Sequence, residues 1–284
     1  MNLQEVVSVE NMRKSDAKTI AEHTTSAELM YRAAQGIFDA VKFTGKVAIV
    51  CGKGNNGGDG YALACILCKN GITPTIVRAS DGFSKDGLYY YQTAKSLGVL
   101  EETLNNIGNF TGYDIVVDCL LGTGFSGEVT GSIKDAIEQI NTSNAFVISA
   151  DINSGINGDT GIADIAVSSD LTVSIGAYKT GLFLNDAPYF IDAMVNADIG
   201  IELISEEYKL IDYSLLHMFE GYNSVVMTNE EFFEKYGYNP QTCNIAKCLW
   251  DISTANRKTV VVKTDHSAVI ADLKYIYFCA DYAK

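Results

Sequence analysis

The sequence predicts an α/β protein built on a mostly parallel central sheet with helices on both faces. Short apolar runs alternate with helix-length segments between residues 26 and 201, as parallel strands joined by crossover helices do. Those runs, Val47–Val50 among them, are nearly unbroken in apolar character, as strands buried on both sides require. The first of them meets a glycine-rich stretch, "CGKGNNGGDG", which leads straight into another apolar-periodic segment, the order of a ligand-binding strand–turn–helix.

Each element follows in turn. Residues 26–41 place Met30, Ala33, Ala34, Ile37 and Val41 on one helical face. After the strand Val47–Val50, a helix is expected from about Gly58 to Asn70, closed by Asn70-Gly71. "TPTIVRAS" supplies a second strand, and residues 84–97 a helix carrying Tyr89, Tyr90 and Tyr91, which read as packing residues. "YDIVVDCLLGTG" gives a third strand ending near Asp118, and a helix spans about Ser132 to Ile140. "NAFVISADINSG" gives a fourth strand ending at Asp151; "DLTVSIGAYKTG" and "AMVNADIGI" give two more. After Ile201 the acidic, tyrosine-rich "ELISEEYKLIDYSLLHMFEGYNS" loses any clear period and marks a junction.

Bulk properties narrow the function. A chain of 284 residues, 47% of them hydrophobic, buries a full core in one large domain or slightly more. Its formal net charge of −14 argues against nucleic acid as a partner, since that affinity rests on Lys and Arg. An anionic small ligand remains compatible, because backbone N–H groups can hold phosphate inside an acidic protein. Seven cysteines, an odd number, do not read as a secreted disulfide framework. Cys65 and Cys68 fall on a predicted helix and read as buried small residues, and His23, His217 and His266 lack zinc-type spacing. The opening "MNLQEVVSVENMRKS" has no apolar signal core, and no run approaches a membrane span. A cytoplasmic protein with no membrane partner is expected.

In an open parallel sheet the ligand sits beyond the carboxyl ends of the strands. The first strand leads there to Asn55, Asn56 and Asp59, the third to Asp118 and "GTGFSGE", the fourth to Asp151 and Ser154, and the next to "GAYKTG". Singly, each has a plainer reading: Asn55 and Asn56 suit turns, Asp59 suits a helix cap, Asp118 and Asp151 suit loop amides, and Lys179 in isolation reads as a surface lysine. Two glycine loops and two carboxylates on one sheet edge favour a site for a phosphate-bearing ligand and a hard cation. A carboxylate without histidine suits proton shuttling on a hydroxyl or ring carbon. A dehydrogenase is disfavoured, because the second strand ends "IVRAS" with Asp81 only beyond it.

Together, "CGKGNNGGDGYALA", "VVDCLLGTGFSGEV", "SADINSGINGDTG", "LTVSIGAYKTGL" and "VNADIGI" resemble the NAD(P)H-hydrate epimerase family, also called the YjeF N-terminal domain. The likeness covers roughly residues 1–204. It implies a Rossmann-like three-layer sandwich and an isomerase that interconverts the C6 epimers of hydrated NADH or NADPH, NAD(P)HX, in metabolite repair. It also implies a bound potassium ion (K+), a homodimer, and a separate dehydratase acting on the product. Carried over by position, Asn55, Asn56, Gly57, Gly58 and Asp59 would contact the substrate, and Gly122, Thr123, Gly124, Phe125, Ser126, Gly127 and Glu128 would form a second ligand loop. Asp151 would be the catalytic residue and also contact substrate; Asn56, Asp118 and Ser154 would be the metal ligands.

Three departures stand out. The family's D-I-P-S-G is Asp151-Ile152-Asn153-Ser154-Gly155, its G-A-P-K is Gly176-Ala177-Tyr178-Lys179, and the Glu-Asn of its L-M-E-N-A-G is Tyr31-Arg32. Residues 205–284 resemble a fragment of the ribokinase-like hydrate dehydratase, a small α/β appendage with Thr264 where that family has glycine. Such a remnant is expected to lack ATP-linked dehydration and to pack on the first domain. The alternative to an epimerase is a non-catalytic nucleotide-binding or scaffold module that has kept the pocket. Arg78, closing the second strand, either favours a 2′-phosphate or is simply solvated.

Overall fold

The computed structural model describes residues 4–205, 208–239 and 244–283. Met1–Leu3, Glu206 and Glu207 of the junction, and Pro240–Cys243 and Lys284 of the appendage lie outside the described residues. The chain opens with β1 (Glu5–Val7), α1 (Val9–Glu22) and α2 (Ser26–Ala40). Next come β2 (Val47–Cys51), α3 (Asn55–Lys69), β3 (Thr75–Arg78), α4 (Lys85–Ser96), β4 (Leu100–Thr103) and α5 (Leu104–Ile107). β5 (Ile115–Cys119), α6 (Gly131–Asn141), β6 (Phe146–Ala150), β7 (Leu171–Ile175), β8 (Tyr178–Lys179) and β9 (Met194–Ala197) follow. The remainder is β10 (Tyr208–Leu210), β11 (Ser224–Thr228), α7 (Asn229–Tyr236), α8 (Ile245–Asn256), β12 (Thr259–Lys263), β13 (Ser267–Ala271) and β14 (Ile276–Ala280).

One sheet runs in the order β4-β3-β2-β5-β6-β7-β9, with every pairing parallel. All five residues of β2 and of β5 are buried, which is why both read as unbroken apolar runs. Leu29, Met30 and Ile37 of α2, Leu63, Ile66 and Leu67 of α3 and Tyr90 and Ala94 of α4 pack one face. Leu104, Phe110 and Ala136, Ile137 and Ile140 of α6 pack the other. This is the expected three-layer α/β sandwich. Strand order reverses between β2 and β5, so a crevice opens there at the strands' carboxyl ends.

The second sheet, β11-β12-β13-β14-β10-β1-β8, joins the carboxyl-terminal strands to two short strands of the first 204 residues. Lys179 on β8 pairs with Val7 on β1, and β1 pairs antiparallel with β10. The core beneath this sheet mixes Val6, Tyr178 and Phe183 with Phe232, Leu249, Val260 and Phe278.

Two local expectations need correction. α3 starts at Asn55, three residues before the expected Gly58, so "NNGGD" forms its first turns rather than a loop. Glycine disfavours helix interiors by about 0.5–1 kcal/mol, which hid the start. The helix tolerates it because nothing larger fits: a Cβ on Gly57 would lie 2.0 Å from the Gly52 carbonyl oxygen. Gly57→Ala is therefore expected to cost on the order of 1–3 kcal/mol or more through overpacking, read by urea denaturation against Gly221→Ala, where a Cβ meets nothing and φ is not positive. Second, α1, β1, β4 and α5 were not anticipated, being short or lacking an apolar run, and "DLTVSIGAYKTG" holds two strands, β7 and β8, rather than one.

Candidate active site

The crevice is a cavity of about 930 Å³, at the upper end of ordinary ligand pockets. Among the anticipated residues, Asn55, Asn56 and Asp59 from α3, Gly122, Thr123, Gly124, Phe125 and Ser126 from the loop after β5, and Asp151 after β6 line it. Gly57 and Gly58 pack instead against Gly52 and Met30; Gly127 and Glu128 are exposed beyond the lining. Asp118 and Ser154 lie behind the wall, fully buried.

Asp118 is reached by register. Facing Ser149 across the parallel pair β5–β6, its Oδ2 accepts from Ser149 Oγ at 3.0 Å and Ser154 N at 2.9 Å. Its Oδ1 accepts from Ser154 Oγ at 2.5 Å and Leu120 N at 3.1 Å. Burial raises its pKa above the usual carboxylate value, and these bonds oppose the rise. Ser154 Oγ also lies 3.2 Å from the Leu121 carbonyl, which accepts from Asn56 Nδ2 at 2.7 Å. The other amide atom, Asn56 Oδ1, is buried with no hydrogen-bond partner. A buried orphan acceptor is costly, so an oxygen-seeking ligand there has a physical rationale.

Asp151 sits directly after β6 with φ +68°, a left-handed conformation uncommon for residues other than glycine. Its Oδ1 accepts a short hydrogen bond from Lys179 Nζ. Lys179 also donates to the Ile175 carbonyl at 2.7 Å and approaches Ser174 Oγ at 3.4 Å. At 1% exposure it is no surface lysine. A buried ammonium survives only when paired and hydrogen-bonded, and β8 holds this one against Asp151. Asp59 and Asp16, the latter from α1, share the cavity wall with this pair. Burial raises the Asp59 pKa well above the usual carboxylate value, Asp151 and Asp16 raise it further, and Lys179 opposes them.

The departures find structural explanations. Asn153 is fully buried; its Nδ2 donates to Val167 O, Ser169 Oγ and Phe190 O at 2.8–2.9 Å, and its Oδ1 accepts from Thr172 Oγ1 at 2.5 Å. Hydrogen bonds thus do the work of a proline ring in fixing the turn. Tyr178 packs edge-on against Phe183 in the core. Arg32 pairs with Glu28 and Tyr31 lies under Lys69, and neither lines the cavity. Arg78 is not solvated either. It lies over the Phe83 ring, 4.7 Å from its centroid, beside Glu101, and is absent from the cavity wall. Cys65 is buried and burial raises its thiol pKa to about 11, so the C-x-x-C is packing.

Sequence reasoning missed Asp16 and underrated Lys179. One signal was available: in "VENMRKSDAKTI" an acid interrupts the apolar stripe Val9, Met12, Ala17, Ile20.

Residues 26–181 match the family described as YjeF-related protein N-terminus. The chain belongs to that family. Among curated YjeF-related proteins, it is 36% identical over 184 residues to an NAD(P)H-hydrate epimerase of Oenococcus oeni, covering 62% of this chain and 87% of that protein. It is 32% identical over 202 residues to a bifunctional NAD(P)H-hydrate repair enzyme of Coxiella burnetii, covering 67% of this chain. The chain spans 40% of that relative's length, and 33% and 35% of two further bifunctional relatives. The crystal structure of yeast ynu0 superposes with a TM-score of 0.56 at 20% identity, over 62% of this chain and 82% of the yeast chain. That likeness shows the fold alone. Among the described residues, no helix is long and apolar enough to cross a membrane.

Proposed function

We infer that the chain is an isomerase that epimerises the C6 hydroxyl of hydrated NADH or NADPH, a nicotinamide nucleotide repair reaction. Relatives that carry the epimerase name support the reaction and its substrate class. The observation that carries the reading for this chain is the Asp151–Lys179 pair, a carboxylate presented to the cavity by a buried cation.

The chemistry asks little more. C6 bears a hydroxyl next to the ring nitrogen. When a proton reaches that oxygen, the C6–O bond breaks, water departs, and the nitrogen lone pair closes a C6=N bond. Water then adds to the opposite face and gives up a proton, so atoms and charge balance. Asp151 is positioned to move a proton at that oxygen. The first turn of α3 directs backbone N–H groups toward a diphosphate, with Asn55, Asn56, Asp59 and the Gly122–Ser126 loop lining its path.

Asn56, Asp118 and Ser154 would hold potassium, and the unpartnered Asn56 Oδ1 beside carboxylate, hydroxyl and carbonyl oxygens fits a hard cation. When bound, the ion supplies a fixed positive charge beside an anionic ligand. Residues 205–284 we read as a dehydratase-like segment that braces the first 204 residues. Support comes from its role as a clamp: Ser267 Oγ and Tyr282 OH donate to the Phe183 and Leu182 carbonyls at 2.7 and 2.8 Å, just past Lys179.

A scrambled mixture of hydrate epimers, followed by chromatography with and without KCl, tests the reading. Relaxation to equilibrium at catalytic protein concentration is expected, faster with potassium. Saturable binding without relaxation would instead make the chain a binding module.

A further inference from the structure

Epimerisation at C6 sets a geometric demand that one carboxylate meets poorly. Water leaves from one face of the ring and returns to the other, so protons are handled on both sides. Asp151, fixed in its turn and tied to Lys179, reaches from the sheet edge. A separate contribution to the cavity comes from α1.

α1 presents Val9, Met12, Arg13, Asp16, Ala17 and Ile20 to the cavity, a single helical face by spacing. Its rotation is fixed from behind by a buried polar spine of Asn11, Ser15 and Thr19. Asn11 Nδ2 donates to the Ser205 carbonyl at 2.7 Å, Ile204 N donates to Ser15 Oγ at 3.1 Å, and Glu202 N donates to Thr19 Oγ1 at 3.2 Å. The helix entry is pinned as well, by Val9 N donating to Asp159 Oδ1 at 2.8 Å. Asp16 lines the cavity, and among the described residues no group hydrogen-bonds to its carboxylate or forms an ion pair with it. Asp16 is half-buried, and a carboxylate partly withdrawn from water without a partner adds nothing to stability.

We propose that Asp16 is a second proton-transferring residue, working with Asp151 from another wall of the same cavity. The proposal rests on the epimerase reading. In one direction the Asp16 acid protonates the departing hydroxyl as the C6–O bond breaks, and Asp151 takes a proton from the incoming water. In the other direction the roles exchange. The charged groups that share the cavity with Asp16 are Arg13 on its own helix, Lys53 and Asp59 at the start of α3, Asp81 and Asp86 at the rim, and Asp151 and Lys179. Burial raises the Asp16 pKa to about 6, Lys179 lowers it and Asp151 adds to the rise, which suits exchange of a proton near neutrality.

The test compares Asp16→Asn and Asp16→Glu with the parent chain, using epimer relaxation from pH 5 to 9 and thermal melts. Asp16→Asn is expected to lower kcat by about 10²- to 10⁴-fold with KM little changed and to abolish the limb near pH 6, while Asp16→Glu restores part of the rate. Because the folded-state pKa is raised, ionising Asp16 costs stability as pH climbs through about 6. The amide should therefore melt no earlier than the parent at pH 8, separating lost chemistry from lost fold. A parental rate in Asp16→Asn, an unchanged acid limb, or a defect confined to KM overturns the proposal. An inactive parent chain would indict the epimerase reading instead.

Discussion

Asp151→Asn is expected to relax the epimer mixture about 10²- to 10⁴-fold more slowly than the parent chain. The amide matches the carboxylate in shape and still offers an oxygen to Lys179, so the left-handed turn at φ +68° has no new clash to absorb. What it cannot do is take up a proton. The fall in rate should persist from pH 5 to 9, and potassium should not rescue it. Relaxation by Asp151→Asn at the parental rate would remove Asp151 from the chemistry and leave the cavity as a binding site only.

Lys179→Met should lower the free energy of unfolding by about 3–5 kcal/mol, the usual consequence of removing one partner from a buried ion pair. The lower end is the better expectation, since the Asp151 side chain is 17% exposed to the cavity and keeps some hydration. Methionine fills similar volume but donates nothing to the Ile175 carbonyl, which now accepts from Nζ at 2.7 Å. Urea denaturation measures the loss, and the double variant with Asp151→Asn supplies the control. Removing both charges should recover much of the stability and none of the activity, a coupling that independent sites do not show. A loss below about 1 kcal/mol would place the pair with solvent-exposed bridges and undo the idea that β8 buries a working cation.

Much of the site was legible because its signals are local. Asn55, Asn56, Asp59, Asp151 and Ser154 each follow, and Asp118 lies near the end of, a strand whose apolar run announces it, and a parallel sheet brings successive strand ends to one edge. The limits were local too. Gly57 and Gly58 masked the start of α3, because their helical use depends on what a Cβ would meet there, the Gly52 carbonyl oxygen at 2.0 Å for Gly57 and the Met30 side chain at 2.4 Å for Gly58. Arg78 looked free because neither Glu101 nor the Phe83 ring is adjacent to it in the chain.

By itself, then, the amino-acid order determined the layered α/β architecture, the sheet edge where the cavity opens, and the oxygen-rich, histidine-free set of side chains there, since periodicity and residue type act over a few neighbours. Only tertiary structure decided that Lys179 is buried against Asp151, 28 residues away, and that Asp16 faces the cavity. α1 is turned to that angle by bonds such as Asn11 to Ser205, 194 residues apart. Contacts of that separation leave no repeating pattern in a sequence, because each depends on where two distant segments come to rest.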